Sequence, residues 1–567
     1  VSILVFVPRD RYDSDAGERI GSYLATAFDG HVSVAYPAFP EGPLARIHFI
    51  IGRREGATPE PPRKVLETAV ERIIRTWSDG LIEALYAAHG DDRAAFLVHR
   101  YGAAFPPAYA DDVPPETGLR DIAFLEKLAG GNTLSGAFLA DDDEAPLALR
   151  LFHLGGPIAL SERVPMLENM GFRVIDEKSY EIVPADERGP IWLHDMALTS
   201  ASGEAVDVAA LGGPLFATFL ATWFDHAEND GYNALTLRAG LGWRDVALIR
   251  TISRYLRQAG IAFSQSYMAE TLVRHAGIAR DLVEWLHARF GPEADARRAA
   301  ARLRAIEAAL DKVPSLDEDR ILRRFQNVVA ATVRTNFFQL GGDGEPREVI
   351  SLKLDSRRID ELPAPRPYRE IFVHGPRVEG VHLRFGKVAR GGIRWSDRPQ
   401  DFRTEVLGLV KAQQVKNAVI VPVGSKGGFV PRLLPAIAAK GKREEVQAEG
   451  TAAYKLFIDA LLDITDNIAI DGTIVPPDNV VRHDGDDPYL VVAADKGTAT
   501  FSDTANAISR EHHFWLDDAF ASGGSAGYDH KVMGITARGA WESVKRHFRE
   551  MDVNIHVTPF TCVGVGD

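Results

Sequence analysis

The sequence predicts a multidomain α/β protein. At 567 residues it is too long for one hydrophobic core and divides into several domains. Short apolar runs alternate with helical periodicity between Val1 and Leu198 and again after Val349, whereas Leu215 to Ala309 is almost wholly helical in pattern. The run Ala418 to Val423 is apolar throughout, as in a strand buried on both faces of a sheet.

Composition narrows the class. The chain is 46% apolar and 25% charged, the balance of a soluble globular protein. A net charge of −14 argues against a nucleic-acid partner, and no apolar run is long enough to span a bilayer. The opening VSILVFV is short and meets Pro8, Arg9 and Asp10, so it reads as a strand and not as a secretion signal. A single cysteine, Cys562, excludes an intrachain disulfide and a zinc-thiolate site, which fits the cytoplasm. Both ends read as interruptions of a longer chain.

In residues 1–90, strands at Val1 to Val7, His31 to Phe39 and Leu44 to Gly52 enclose a helix at Asp15 to Phe28, and a long helix follows from Arg63 to Ala88. This βαββα order suits a ferredoxin-like module whose last strand is not visible. Residues 91–135 form a helical linker broken by Pro106-Pro107 and Pro114-Pro115. Residues 136–200 make a second small α/β unit, with strands at Leu147 to Leu154, Phe172 to Val183 and Ile191 to Leu198 around a helix at Leu160 to Met170. No binding motif is visible in the first module, which favours a structural or oligomerisation element without a ligand, and the second unit reads as readily as a spacer domain.

Residues 201–315 are the helical region, in which Leu248, Ile252, Tyr255 and Leu256 mark one buried face and Trp223, Trp243 and Trp285 pack helix on helix. Arg297, Arg298, Arg302 and Arg304 read as a solvated face. Residues 316–500 hold a helix at Asp317 to Phe338, strands at Val349 to Leu354, Glu370 to His374 and Gly380 to Gly386, and later helices at Leu433 to Ala439 and Glu445 to Ile464. Val491 to Ala494 is a short strand, and residues 501–567 end in a strand from Val553 to Val563 with Cys562 inside it as a core residue.

The stretch Val388 to Gly428 carries the chemistry. Arg390 to Arg394 reads as a turn. A helix follows with Phe402, Val406, Leu409 and Val410 on one face, and Lys426 lies just past a strand end among Gly424, Gly427 and Gly428, which let the backbone turn. Arg390, Arg394, Lys416 and Lys426 converge if the unit closes, an arrangement that calls for an anionic, carboxylate-bearing substrate and favours a neutral lysine able to act as a base. Four solvated surface cations fit the spacing equally well. Asp495 leaves its strand as Lys426 does; an N-cap or Asx turn is the competing reading. His512 and His513 adjoin Glu511 with no third ligand at metal spacing, so no metal site is expected.

ARGGIR, QQVKNA, VPVGSKGG, VVAADKGT and GGSAGYDHKVMGITARG follow one another in an order that resembles the glutamate dehydrogenases. Arg390 stands where the small enzymes of that family have lysine. The interval between Lys416 and Lys426 is shorter than theirs, and a long N-terminal extension precedes the motifs. These departures resemble the large, NAD-dependent bacterial class. The resemblance implies ACT-like modules at the N-terminus, the first segment being the last of them, then a substrate-binding domain, and from residue 501 the start of a Rossmann domain that binds NAD. It further implies a homo-oligomer, a tetramer by class, with L-glutamate and 2-oxoglutarate as small-molecule substrates and neither nucleic acid nor membrane as partner.

On that resemblance Lys426 and Asp495 are catalytic: Lys426, lowered by cationic neighbours, activates water, and Asp495 relays protons to the amine. Arg390 and Lys416 hold the two substrate carboxylates, with Arg394 supporting the loop. Thr536, Gly564 and Gly566 belong to the cofactor site. A dehydrogenase for another amino acid and a non-catalytic regulatory scaffold on the same fold are the alternatives.

Overall fold

The computed structural model describes residues 1–53, 56–128, 132–140, 147–342, 344–413, 423–434, 442–495, 497–498, 500–525 and 530–563. They form two units, Val1–Arg163 with Val174–Thr199 and Val164–Arg173 with Ser200–Asp567.

In the first unit, β1 (Ser2–Pro8), α1 (Ser14–Ala27), β2 (Gly30–Ala38), β3 (Leu44–Arg53) and α2 (Arg63–Ile73) follow in the expected order. The sheet runs β1-β3-β2, all antiparallel, and alternate residues Val5, Val7, Ile47, Phe49 and Ile51 face Ile20 and Leu24 of α1. The helix expected to run unbroken to Ala88 is two helices, because α3 (Trp77–Ala88) starts afresh at Thr76 with a capping box to Asp79. A fourth strand is absent from this sheet among the described residues.

The linker forms α4 (Asp91–Tyr101), α5 (Pro107–Asp112) and α6 (Pro115–Leu125), the last two opening on proline. The second module adds β4 (Leu134–Leu139), β5 (Leu147–Leu154), α7 (Leu160–Asn169), β6 (Phe172–Ile182) and β7 (Ile191–Ser200), in sheet order β4-β5-β7-β6. Here β4, which precedes the βαββ run in sequence, fills the fourth-strand position beside β5.

The second unit begins with α8 (Val208–Trp223), α9 (Ala234–Ala239), α10 (Trp243–Gln258), α11 (Gln265–Arg274), α12 (Ala276–Phe290) and α13 (Ala296–Leu310). The helix expected at Asp317 to Phe338 is α14 (Leu316–Ala331), which gives way to β8 (Thr332–Thr335). Then come β9 (Ile350–Leu354), β10 (Arg369–His374), β11 (Val378–Arg384), β12 (Ala389–Trp395), α15 (Phe402–Gln413), β13 (Val423–Pro431), α16 (Arg443–Leu462) and β14 (Val492–Ala493). The seven strands pair as β14-β12-β13-β11-β10-β9-β8, parallel on either side of β12 and antiparallel elsewhere. One face of this sheet packs on α10, α14 and α15 through Leu352, Phe372, Val381 and Leu383. The other packs on α16 and α17 (Ser502–Glu511) through Val373, Ile393 and Phe429.

Two expectations fail here, and a third goes untested. Val553 to Val563 is not a strand, since no neighbouring strand among the described residues takes up its backbone groups. Cys562 is accordingly exposed and not in a core. The helix at Leu433 to Ala439 falls mostly on residues outside those described.

Candidate active site

Arg390 to Arg394 is a strand and not a turn, held between two parallel neighbours. A Cβ on Gly391 would lie 1.6 Å from the Ser425 carbonyl oxygen, and one on Gly392 would lie 3.0 Å from the carbonyl of Ala494 and 3.1 Å from Cβ of Asp495. The glycine pair thus lets β13 and the Asp495 turn close on β12 from opposite sides. Lys426 likewise lies within β13, opposite Leu383 of β11, and not past a strand end. Gly427 and Gly428 admit Ile393 and Val406, whose side chains would meet a Cβ at 2.5 and 2.6 Å. These glycines serve close packing and not a turn.

Asp495 emerges from β14 into a turn closed by Thr498, whose hydroxyl donates to the Ile393 carbonyl (2.6 Å) and accepts from the Asp495 amide (3.0 Å). Gly497 takes φ +83° against Trp395. The next helix, α17, starts later, after Phe501, with no side-chain cap. Asp495 turns its carboxylate to the sheet.

There the Lys426 ammonium donates to Asp495 Oδ2, and Arg394 Nε donates to the same oxygen at 3.0 Å. Arg394 also donates through Nη1 to Glu405 of α15 (3.1 Å), whose other oxygen accepts from Ser396 Oγ (2.6 Å). Burial works to lower the Arg394 guanidinium, but its bonds to Asp495 and Glu405 prevail and raise it. Two of the four cations expected to repel one another, Lys426 and Arg394, are therefore interleaved with carboxylates, and the charge in contact with Lys426 is negative. The Lys426 side chain is 2% exposed and that of Asp495 22%, so Asp495 is the outward member of the pair. Arg390 is half-buried, and no carboxylate pairs with it among the described residues. Its charge opposes the effect of burial, which raises the Tyr489 hydroxyl.

The remaining expected residues are not brought to this site by the described part of the chain. Lys416, Gly564 and Gly566 lie outside the described residues, and Thr536 is placed only by its backbone, at the second position of α18 (Ile535–Glu550).

Sequence reasoning missed a second layer of charge. Arg384 of β11 grips Asp487 with both Nη atoms and donates to the Tyr489 carbonyl (2.9 Å). Lys353 of β9 reaches Asp484 (2.7 Å) and Asp487 (2.8 Å), and Arg334 of β8 reaches Asp466 (2.7 Å) and Asp484 (2.6 Å). Burial acts to raise the Asp487 carboxyl, but Arg384 and Lys353 overcome it and hold it well below its ordinary value. This buried network ties down the chain that leads into β14, and so sets where Asp495 emerges. Its signal was a cation inside each of three apolar strands, TVRT, ISLKL and VHLR.

His512 does acquire two further oxygen donors in space. Asp459 of α16 and Asp463 at its C-terminal cap offer ligand atoms within 4.8 Å of that of His512 and of one another. Arg347 already supplies the cation, donating to Asp463 Oδ1 at 2.7 Å and lying 3.5 Å from Asp459 Oδ2, so the cluster is a closed ion network. Burial still pushes the Asp463 carboxyl up to about 6.

Residues 305–567 match the family described as "Bacterial NAD-glutamate dehydrogenase, catalytic domain". Four further glutamate dehydrogenase segments match in order: the ACT2 domain at 1–78, helical motif 2 at 84–128, the ACT3 domain at 138–211 and helical motif 3 at 227–292. The first module is thus not the last of the ACT series; the second module follows it. NAD-specific glutamate dehydrogenases of Halomonas elongata and Pseudomonas aeruginosa are each 47% identical over the whole chain, and that of Mycobacterium tuberculosis is 46% identical. The chain spans 35% of the first two relatives and 36% of the third. Matches to successive segments from end to end, together with this identity, show that the chain belongs to the bacterial NAD-glutamate dehydrogenase family.

Proposed function

We propose that the protein containing this chain oxidises L-glutamate to 2-oxoglutarate and ammonium with NAD, and that Lys426 and Asp495 are its catalytic pair. The observation that carries the reading is the contact between a buried lysine and a more exposed aspartate beside an arginine, Arg390, that has no carboxylate partner among the described residues. No protein side chain accepts hydride, so these proton-handling groups fit a site whose redox chemistry comes from a bound group; NAD supplies the hydride acceptor when bound. Thr536, Gly564 and Gly566 are the residues we assign to hold it.

Arg390 offers a planar fork to one substrate carboxylate and Lys416 a point charge to the other. Loss of hydride from the substrate α-carbon leaves an iminium, which water attacks. Lys426 takes a proton from that water and steadies the charge developing on its oxygen. Asp495, touching Lys426 on the outward side, passes the proton to the departing amine. Arg394, itself held by Glu405, fixes the Asp495 carboxylate in the geometry that both transfers need.

The domain layout belongs to the same proposal: ACT-like modules at 1–90 and 136–200 joined by the linker 91–135, a helical region at 201–315, the substrate domain at 316–500 and the start of the nucleotide domain from 501. So do a cytoplasmic location and a homo-oligomer, a tetramer by class. Among the described residues no helix is long and apolar enough to cross a membrane. NADH formation by the complete protein, offered L-glutamate, L-leucine, L-aspartate and L-alanine with NAD or NADP, tests the substrate and cofactor. Turnover confined to glutamate and NAD is expected; preference for an apolar amino acid would remove Arg390 from substrate binding.

A further inference from the structure

Three successive residues at the end of β12 hold the turn that carries Asp495. The Ile393 carbonyl accepts from the Thr498 hydroxyl (2.6 Å), Arg394 Nε donates to Asp495 Oδ2 (3.0 Å), and Trp395 lies against Gly497. The first two contacts are polar. The third is steric and comes from the other face of the sheet, because side chains alternate along a strand: Arg394 turns to Glu405 of α15, and Trp395 turns toward α16 and the start of α17.

Two glycines make room for this indole. At Gly497 the backbone takes φ +83°, and a Cβ there would lie 2.7 Å from Cβ and 3.4 Å from Cγ of Trp395. At Gly450, inside α16, a Cβ would overlap the indole at Cη2, Cζ3 and Cζ2. Glycine is less favourable than alanine in a helix interior, and at this buried position the indole gives the steric reason for it. The rings of Phe429 in β13 and of Phe501, just before α17, have their centroids 6.1 and 6.3 Å from that of Trp395 and hold its plane. One end of a rigid side chain thus abuts α16 and the other abuts the turn. Phe429 lies three residues beyond Lys426, so the same ring also bears on the strand that carries the lysine.

We propose that Trp395 is a positioning residue for the reaction, a spacer between α16 and the turn at 495–498 that sets where the Asp495 carboxylate stands relative to Lys426. This rests on the proton-relay role given to Asp495 above. Trp395 itself touches neither Lys426 nor the substrate; it acts through Gly497 and the turn. A displacement of about 1 Å at a reacting group costs up to roughly a hundredfold in rate, so a small change in the spacer is read directly in turnover.

Steady-state kinetics of the complete protein with L-glutamate and NAD, in Trp395→Phe, Gly450→Ala, the double variant and Asp495→Asn, test this. Gly450→Ala drives the indole toward the turn, and Trp395→Phe withdraws it and leaves a void. Each should lower kcat by roughly tenfold or more and displace the kcat–pH profile, with KM for glutamate within about twofold of wild type. In the double variant the new methyl group occupies the space that the indole vacates, so it should turn over faster than either single variant. The comparison with Trp395→Phe serves alone if Gly450→Ala does not fold. With Asp495→Asn impaired, a wild-type kcat and pH profile in Trp395→Phe, even beside a lower urea midpoint, overturns the proposal and leaves the relay standing. So does a double variant slower than Trp395→Phe. A near wild-type kcat in Asp495→Asn removes the relay itself, and the spacer role with it.

Discussion

Asp495 serves two cations at once, and the consequences separate at the level of single side chains. Asp495→Asn keeps the volume and the Arg394 contact but removes the proton acceptor. It should lower kcat by about 10²- to 10⁴-fold, the usual worth of a positioned acid or base, with little change in KM. A near wild-type kcat would take Asp495 out of the relay. Glu405→Gln acts one step further away, weakening the hold of Arg394 on Asp495. It should cost roughly tenfold in kcat, about 1.4 kcal/mol, and shift the kcat–pH profile while KM stays put. An unchanged profile would mean that Arg394 holds Asp495 unaided. Much of this site was legible residue by residue, because Lys426, Asp495 and Arg390 each sit in a glycine-marked motif. Glu405 was not, since one acidic residue in the first turn of a helix looks like a helix-dipole partner until the fold brings Arg394 to it.

Among the elements, the strands carry information that their hydrophobic pattern conceals. Strands β8, β9 and β11 each bury a cation, and all three cations converge on the segment from Asp466 to Asp487 that precedes β14. Removing one partner of such a pair strands the other charge in the core. Arg384→Met should therefore cost about 3–5 kcal/mol, read as a lower urea midpoint, and should reduce kcat by loosening the turn that presents Asp495. A midpoint within about 0.5 kcal/mol of wild type would show that Lys353 alone satisfies Asp487. Periodicity found most of these strands because alternation and apolar runs are local properties. It could not find the ion network, whose partners stand more than a hundred residues apart, such as Arg384 and Asp487. It also made a strand of Val553 to Val563, where the local pattern is apolar but pairing is decided elsewhere in the fold. Thr76 and Asp79, by contrast, spell out a helix start in plain sequence, and the longer apolar stripe overrode that signal.

At the scale of the whole molecule, pH acts through buried histidine. His382 on β11 is 1% exposed, neither ring nitrogen has a partner among the described residues, and burial together with the nearby Arg384 charge pushes it down to about 3. In the unfolded chain it titrates near 6.5. The folded state therefore binds fewer protons than the unfolded one between these values. The stability that His382 contributes is complete above about 6.5 and declines as pH falls toward 3, by up to about 1.4 kcal/mol per unit. Urea midpoints measured from pH 7.5 to 4.5 should fall with acid, and His382→Leu should flatten that slope. An identical slope in the variant would place the acid sensitivity in other groups. That ACT-like modules precede a catalytic domain was legible at this scale because composition and motif order survive without coordinates, whereas the place of the first module in the ACT series was not. The fourth strand of the second module was not, because β4 precedes the βαββ run it completes.

The most direct test of Lys426 as the base is steady-state NADH formation from L-glutamate by the complete protein, where every turnover requires the water attack, comparing wild type with Lys426→Ala at equal thermal stability. The variant should fold, bind glutamate and form NADH at less than about a hundredth of the wild-type rate. A folded Lys426→Ala protein that turns over glutamate within a few-fold of wild type would contradict it.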